Sequence, residues 1–572
     1  MLHTQRLRAL LSLVFVALAS QGSFPLNAIG AQEHSAGGAT YVVVYAEGAT
    51  VAQARAALAA LGATVVKENT AIGVATVESA NADLLALVGS QPALLGAARN
   101  RPVGRGFDPA SRKRDDADLD RLETTALTIG SQPASDPDTP AAEPLAGLQW
   151  DMAMIHATAT ESYAHQLGDP RVRVGILDTG IDASHPDLAA NVSTTLSRNF
   201  TTDIPSIDGP CEVPSCVDPP LVDDDGHGTH VAGIVAAKLN GLGIAGVAPD
   251  VTLVNIRGGQ DSGYFFLQPV VDALVYAGDI GIDVVNMSFF VDPWLFNCAD
   301  NAADSPSAQL EQRTILAALQ RALDYARSRG VTLVSSLGNE HTDLGFPTDD
   351  IISPDFPPGA DYFRAVDNSC LVMPAEGNGV IAVSALGPTG TKADYSNYGV
   401  EQTDVSAPGG YFRDFFGTPR YRTVENLVLS TYPRVLAEAR GELNPDGSPN
   451  TPFVVRDCNG SVCGYYQYLQ GTSMAAPHAV GVAALIVSER GHRDLPPNRG
   501  LTMNPVATQA LLQVTATRTA CPDPRLLDYA NVGRPPEFNA FCDGTLNFNG
   551  FYGHGIVNAL RAVSPSSHPT EQ

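Results

Sequence analysis

Three short stretches of the chain hold the residue types that nucleophilic catalysis needs. Gly175-Ile176-Leu177-Asp178-Thr179-Gly180 ends an apolar run in a carboxylate and a glycine turn. Asp225-Gly226-His227-Gly228-Thr229-His230 sets an imidazole before one apolar segment, and Gly471-Thr472-Ser473-Met474-Ala475-Ala476-Pro477-His478 sets a hydroxyl before another. A serine hydroxyl attacks a carbonyl only when a base takes its proton, and neutral imidazole does so near neutral pH. A buried carboxylate fixes the imidazole tautomer and stabilises the imidazolium that forms. Gly226, Gly228 and Ala475 are small enough for a substrate backbone to approach. Singly, each motif has a plain structural explanation: a turn aspartate, a capping histidine, an N-cap serine. Together they point to a serine nucleophile, a histidine base and an aspartate partner.

The elements that must position these residues are legible around them. Apolar runs at Val172–Leu177, Val251–Ile256, Asp283–Met287, Val331–Ser335 and Val380–Ser384 alternate with helical segments at Gly228–Ala237, Leu267–Gly278 and Gln309–Arg329. Continuous apolar strands separated by helices predict an α/β fold, a parallel sheet with helices on both faces. Such sheets gather function at the carboxyl ends of strands and the N-termini of helices, where all three motifs fall.

With these motifs in hand, the chain resembles the subtilases, the subtilisin-like serine proteases, from about Leu145 to Val563. Asp178, His227 and Ser473 match that family's Asp, His and Ser blocks in its chain order. The fold implied is a subtilisin-like parallel sheet. Ser336-Leu337-Gly338-Asn339 is similar to the oxyanion block, which implies that Asn339 donates its amide to the tetrahedral oxyanion beside the Ser473 N–H. Asn286-Met287-Ser288 is similar to the strand that pairs with substrate backbone, and Tyr395-Ser396-Asn397-Tyr398-Gly399 and Ala407-Pro408-Gly409-Gly410 match further landmarks. The implied substrate-binding set is Ser288, Phe289, Phe290, Ser336, Leu337 and Gly338, and the implied substrates are proteins or peptides. The family usually follows Asn-Met-Ser with Leu-Gly-Gly, whereas this chain has Phe289, Phe290 and Val291, so pocket specificity does not carry over. Insertions at Asn297–Glu311, Thr342–Leu371 and Tyr411–Tyr465 are placed to rim or lid the cleft.

The resemblance implies no cofactor for the chemistry and a structural calcium site. Asp187, in His185-Pro186-Asp187-Leu188, and the loop around Asn240 align with that site, with Lys238, Leu242 and Ile244 completing the set. Two side-chain oxygens and several loop carbonyls would form a hard-oxygen cage. His227-x-x-His230 lacks the glutamate of a zinc helix. An α/β-hydrolase esterase is the rival enzyme, but Ala475 stands where its nucleophile elbow needs glycine, and Asp178 and His227 precede the serine instead of following it. A catalytically dead secreted binding protein on the same fold is the rival from another class.

The N-terminal part reads as a precursor. His3, Arg6 and Arg8 followed by the apolar run Ala9–Ala19 and small residues to Gly30 predict a secretory signal over 1–30, too short to span a bilayer. Residues 40–100 show a β-α-β-β-α-β pattern, a small α/β sandwich, and resemble the family's inhibitory propeptide; residues 31–105 form that domain. Its tail, Pro92 to Arg105, is expected to lie extended near Ser288. A basic and Pro-rich linker spans 106–144, and the peptidase domain spans 145–565. The expected product is secreted and extracellular, bound to no membrane once the signal is removed, with its own propeptide as intramolecular inhibitor. A net charge of −26 argues against nucleic acid as a partner. Eight cysteines fit an oxidising compartment. They allow 105 pairings, of which proximity favours Cys211–Cys216, Cys458–Cys463, Cys521–Cys542 and Cys298–Cys370.

Overall fold

The computed structural model describes residues 39–100, 102–105, 143–291, 293–355, 359–493 and 500–564. The expected signal over 1–30 and nearly all of the linker lie outside the described residues.

The N-terminal unit runs β1 (Ala39–Tyr45), α1 (Val51–Ala60), β2 (Ala63–Asn69), β3 (Val74–Ser79), α2 (Leu84–Val88) and β4 (Leu94–Arg99), which is the expected order. Its antiparallel sheet has the order β2-β3-β1-β4. Strand β1 is apolar at consecutive positions because both faces are covered. Tyr41, Val43 and Tyr45 pack with Ala54, Leu58, Leu84 and Val88 of its own helices. Val42 and Val44, pointing the other way with the period of two of a strand, join Ile72, Val74 and Ala98 in a cluster shared with the larger unit. A further strand, β5 (Pro102–Arg105), follows.

The larger unit begins with the short helix α3 (Trp150–Met154) and places β6 (Arg173–Leu177), β7 (Arg198–Asn199), α4 (His227–Ala236), β8 (Thr252–Arg257), β9 (Tyr264–Phe266), α5 (Leu267–Ile280), β10 (Val284–Met287), α6 (Pro306–Ser328) and β11 (Thr332–Ser336) in that order. After the small pair β12 (Asp349–Asp350) and β13 (Arg364–Ala365) come β14 (Val380–Leu386), β15 (Val405–Pro408), β16 (Val428–Thr431), α7 (Arg434–Ala439), β17 (Val454–Asn459), β18 (Val462–Leu469) and α8 (Thr472–Arg490). Seven strands form one parallel sheet in the order β15-β14-β11-β10-β6-β8-β7. Two apolar clusters cover its faces, one with α4 and α8, the other with α5 and α6. The sheet is thus parallel and covered on both faces, as the apolar runs require.

The N-terminal sheet docks on α5 and α6. Lys67 pairs with Asp272, Thr76 donates its hydroxyl to Gln268, and Arg321 Nη1 donates to the Tyr45 carbonyl at 2.9 Å. Gly96 of β4 lies so close to α6 that a Cβ there would stand 2.3 Å from Thr314 Oγ1.

All four proximity disulfides are present, and no described cysteine is free. The expected rim insertions serve as bracing. Asn297–Glu311 and Thr342–Leu371 are joined by Cys298–Cys370 and by buried Arg364, which reaches Asp304 at 2.9 Å and Asp350 at 2.7 Å. The third insertion builds β16, α7 and β17 beside β18.

Candidate active site

Asp178 follows the last residue of β6, where the strand leaves the sheet, and His227 is the first residue of α4. His227 Nδ1 and Asp178 Oδ1 lie 2.7 Å apart, both side chains almost wholly buried. The Thr179 N–H donates to the same Asp178 oxygen at 2.8 Å. The two motifs can approach because residue 228 is glycine: a Cβ there would stand 2.2 Å from the Gly180 carbonyl oxygen.

Asp223, absent from the sequence-derived site, ties the motifs together. Its Oδ1 accepts from Thr179 Oγ1 at 3.0 Å and from the Gly226 N–H at 2.9 Å, and its Oδ2 accepts from the Thr229 N–H at 2.9 Å and Oγ1 at 2.6 Å. It therefore satisfies orphan donors at the N-terminus of α4 while anchoring the turn after Asp178. A single aspartate in an Asp-Asp-Asp run gives no sequence signal of that role. His230 is not a second base. Its Nε2 faces the Gln467 carbonyl at 2.9 Å, and burial pushes its pKa down to about 3.

Ser473 is the second residue of α8. Pro477, four residues on, has no N–H to offer the Ser473 carbonyl. That carbonyl accepts from Ser288 Oγ instead, at 3.1 Å, and Ser473 Oγ donates to the Ser288 carbonyl at 3.3 Å. The proline thus lets the nucleophile's turn be stitched to the strand end after β10. Further along, His478 Nε2 lies 3.1 Å from Asp151 of α3, which fixes the helix from its other side.

Asn339 Oδ1 accepts from the Thr472 N–H and Thr472 Oγ1, both at 2.9 Å. With the oxygen so held, Nδ2 faces the open side. The point where a Cβ on Gly471 would stand is 3.6 Å from Asn339 Nδ2 and 3.7 Å from Ser473 N, so two donors converge on one small volume. Thr472 Oγ1 also accepts from the Gly338 N–H at 3.1 Å. Thr472 was quoted in the serine motif, but this positioning role had no sequence signal.

The remaining expected residues divide. Ser288 and Gly338 lie against the Ser473 turn, as the bonds above show. Ser336 and Leu337 are buried, and Leu337 packs with Phe290, Leu295 and Phe296. Phe289 turns away and stacks on Phe265 of β9, ring centroids 4.1 Å apart at 9°. The end of the expected propeptide tail forms a strand. The backbone of Pro102–Arg105 pairs antiparallel with β9, Pro102 opposite Phe266 and Arg105 opposite Tyr264. β9 is a short ribbon outside the seven-stranded sheet, and its edge accepts this further strand.

Of the expected calcium residues, Asp187 and the Asn240–Ile244 loop come together. Asn240 Nδ2, Tyr466 OH and the Ile244 N–H donate to the Asp187 carboxylate at 3.1, 2.8 and 3.3 Å. Lys238 meets Asp187 through its N–H, at 2.8 Å to the carbonyl. Burial pushes the Asp187 pKa up to about 7. Glu143, which the sequence reading omitted, adds a buried Oε2 with no hydrogen-bond partner. That orphaned oxygen beside Asp187 and Asn240 makes the donor set one that fits a hard cation.

The profile described as "Subtilase family" matches residues 169–555, so the chain belongs to the subtilases and is a serine protease by family and fold. It is 30% identical to subtilisin BL of Lederbergia lenta over 341 residues, 59% of this chain and 84% of that protein. It is 29% identical to subtilisin DY of Bacillus licheniformis over 320 residues, 56% of this chain and 77% of that one. Among solved structures, the epidermin leader peptide processing serine protease of Staphylococcus aureus superposes with a TM-score of 0.59 at 20% identity, over 93% of this chain and 99% of that one, a likeness of fold.

Proposed function

We propose that this chain is a secreted serine endopeptidase made as an autoinhibited precursor, with Asp178, His227 and Ser473 as its triad. The observation that carries the reading is the buried 2.7 Å Asp178–His227 pair, set at a strand end and a helix start. His227 Nε2 takes the Ser473 proton as Oγ bonds to the scissile carbonyl carbon, and the carbonyl electron pair moves onto oxygen. Asn339 Nδ2 and the Ser473 N–H receive that oxyanion. The tetrahedral species collapses, the C–N bond breaks, and His227 protonates the departing amine. Water then repeats the sequence on the acyl-enzyme, and Asp178 holds the imidazole tautomer throughout.

The substrate backbone is held between β9 and the segment after β10, and β5 of the propeptide occupies the β9 edge in the precursor. Main-chain pairing of that kind gives affinity with little side-chain demand. Because the segment is tethered, it blocks the cleft at high effective concentration. No cofactor enters the chemistry. A structural calcium ion at Asp187, with Glu143, Asn240 and the carbonyls of Lys238, Leu242 and Ile244, would supply rigidity to that loop and no catalytic step.

The test is labelling of the matured protein by an active-serine phosphonate. Wild-type protein should take one label at Ser473, and Ser473→Ala should take none. A wild-type protein that takes no label while folded would make this a binding protein on a protease fold.

A further inference from the structure

Four carboxylates outside the triad and outside the Asp187 loop converge at one place. One oxygen each of Asp203, Glu212, Asp218 and Asp261 lies within 4.8 Å of the others. Asp203 is 5% exposed, and neither of its carboxylate oxygens has a hydrogen-bond partner. Asp218 is 3% exposed, and Asp261 Oδ2 is likewise buried without a partner. The nearby cation is Arg257, fully buried, with Nη1 3.0 Å from Asp218 Oδ2 and Nη2 on Asp261. One positive charge stands against four carboxylates, of which Asp203 and Asp218 are buried, Asp261 is half-buried and Glu212 is exposed. A buried carboxylate with both oxygens unbonded is costly unless a cation meets it.

We propose that Asp203, Glu212, Asp218 and Asp261 form a calcium site. The donors are all hard oxygens. The cysteines flanking Glu212 are locked in the Cys211–Cys216 disulfide, so no thiolate is offered. A spread of up to 4.8 Å is close to the diameter of an oxygen shell around calcium, with Ca–O distances of about 2.3–2.6 Å, and wider than the shell magnesium demands. The backbone is arranged to hold the cage. The Asp203 N–H donates to the Cys216 carbonyl at 2.8 Å, which brings the disulfide loop over the site, and Asn199 Nδ2 donates to the Asp218 carbonyl at 3.2 Å. Gln260 Nε2 donates to the Thr202 carbonyl at 3.2 Å, which ties the Asp261 turn to the Asp203 loop.

The test uses the full chain carrying Ser473→Ala, stripped with chelator and titrated with calcium alone. Bound calcium per chain is measured by equilibrium dialysis, with melting curves in parallel. Asp203→Asn should bind one calcium fewer than its parent and should melt no lower than the parent in chelator, because it removes repulsion. Asp187→Asn should leave this site filled. Glu212→Gln alters an exposed side chain and so keeps the fold; it should weaken one calcium affinity about tenfold or more. Unchanged stoichiometry in Asp203→Asn, or unchanged affinity in Glu212→Gln, would overturn the proposal. So would an Asp187→Asn chain that binds no calcium at all. Asp203→Asn melting lower in chelator with calcium binding intact would make the cluster a counter-ion group for Arg257.

Discussion

Thr472→Val tests whether the oxyanion site is built as the geometry implies. Valine keeps the β-branched shape of threonine in a fully buried position but removes the hydroxyl. Two bonds are lost: Oγ1 to Asn339 Oδ1 at 2.9 Å, and the Gly338 N–H to Oγ1 at 3.1 Å. Asn339 keeps its bond from the Thr472 N–H, so its amide is loosened and not released. One neutral hydrogen bond contributes about 1 kcal/mol net, which corresponds to a fall in kcat of about fivefold through misorientation of Nδ2. The buried Gly338 N–H left without its partner costs about 1–3 kcal/mol of stability. Asn339→Ala deletes the donor itself and should lower kcat by about 10²–10³-fold. The decisive assay is the double-mutant cycle on peptide hydrolysis, with kcat and KM separated. Thr472→Val should lower kcat in the wild-type background and leave it unchanged in Asn339→Ala, while lowering the melting temperature in both. An equal kcat loss in both backgrounds would show that Thr472 does not act through Asn339. Full activity of Asn339→Ala would remove the oxyanion assignment altogether.

Ser473→Ala should accumulate as uncleaved precursor, seen as a single larger band on a denaturing gel; normal processing would mean that another protease makes the cut. Gly96→Val should press into Thr314 of α6 and weaken propeptide inhibition by about 5–150-fold, since overpacking costs about 1–3 kcal/mol, read as earlier onset of peptidase activity during maturation. Burial raises Glu340, beside Asn339, from its ordinary value to about 7, so the folded state holds that proton more tightly and stability is lost as pH rises from about 4.5 to about 7. Glu340→Gln in the Ser473→Ala chain should therefore gain about 1–2 kcal/mol over its parent at pH 8 and almost nothing at pH 4, the partial exposure of the residue reducing the full linkage value; identical melting profiles across that range would refute the assignment.

The parts of this molecule that were legible in the sequence are those coded by neighbours. Asp178, His227 and Ser473 sit in glycine-flanked blocks because the backbone must turn and approach closely there, as the clash at Gly228 demonstrates. Strands β6, β10 and β14 read as unbroken apolar runs because both faces of the sheet are covered. The same logic exposed β1, whose alternate residues serve two different cores. What stayed hidden depends on which distant segments meet. Phe289 could have filled a pocket, and only the proximity of Phe265 turns it into a stack. Asp203 and Asp261 lie far apart in the chain, and nothing in either neighbourhood announces that they share a site. The tail pairing with β9 was missed for the same reason: a free strand edge is a property of the assembled sheet.

The docking surface of the N-terminal sheet bears on how inhibition ends. The face that meets α5 and α6 is built from Val42, Val44, Ile72, Val74 and Ala98. On release those side chains would be left facing water as one apolar patch, a condition stable monomers seldom tolerate beyond a few hundred Å². The peptidase side of the same interface keeps polar groups of its own, among them Asp272, Gln268, Glu311 and Arg321. Residues of α5 and α6 in the same cluster are apolar too, so separation would expose apolar surface on both sides. Dissociation alone is then uphill, and cutting the linker would merely remove the tether. On the proposed function, release would become one-way through digestion of the freed domain, whose small core of about 60 residues is marginal and opens readily. On that proposal the released enzyme would itself be the nearest protease, so the loss of one inhibitor would hasten the loss of the next.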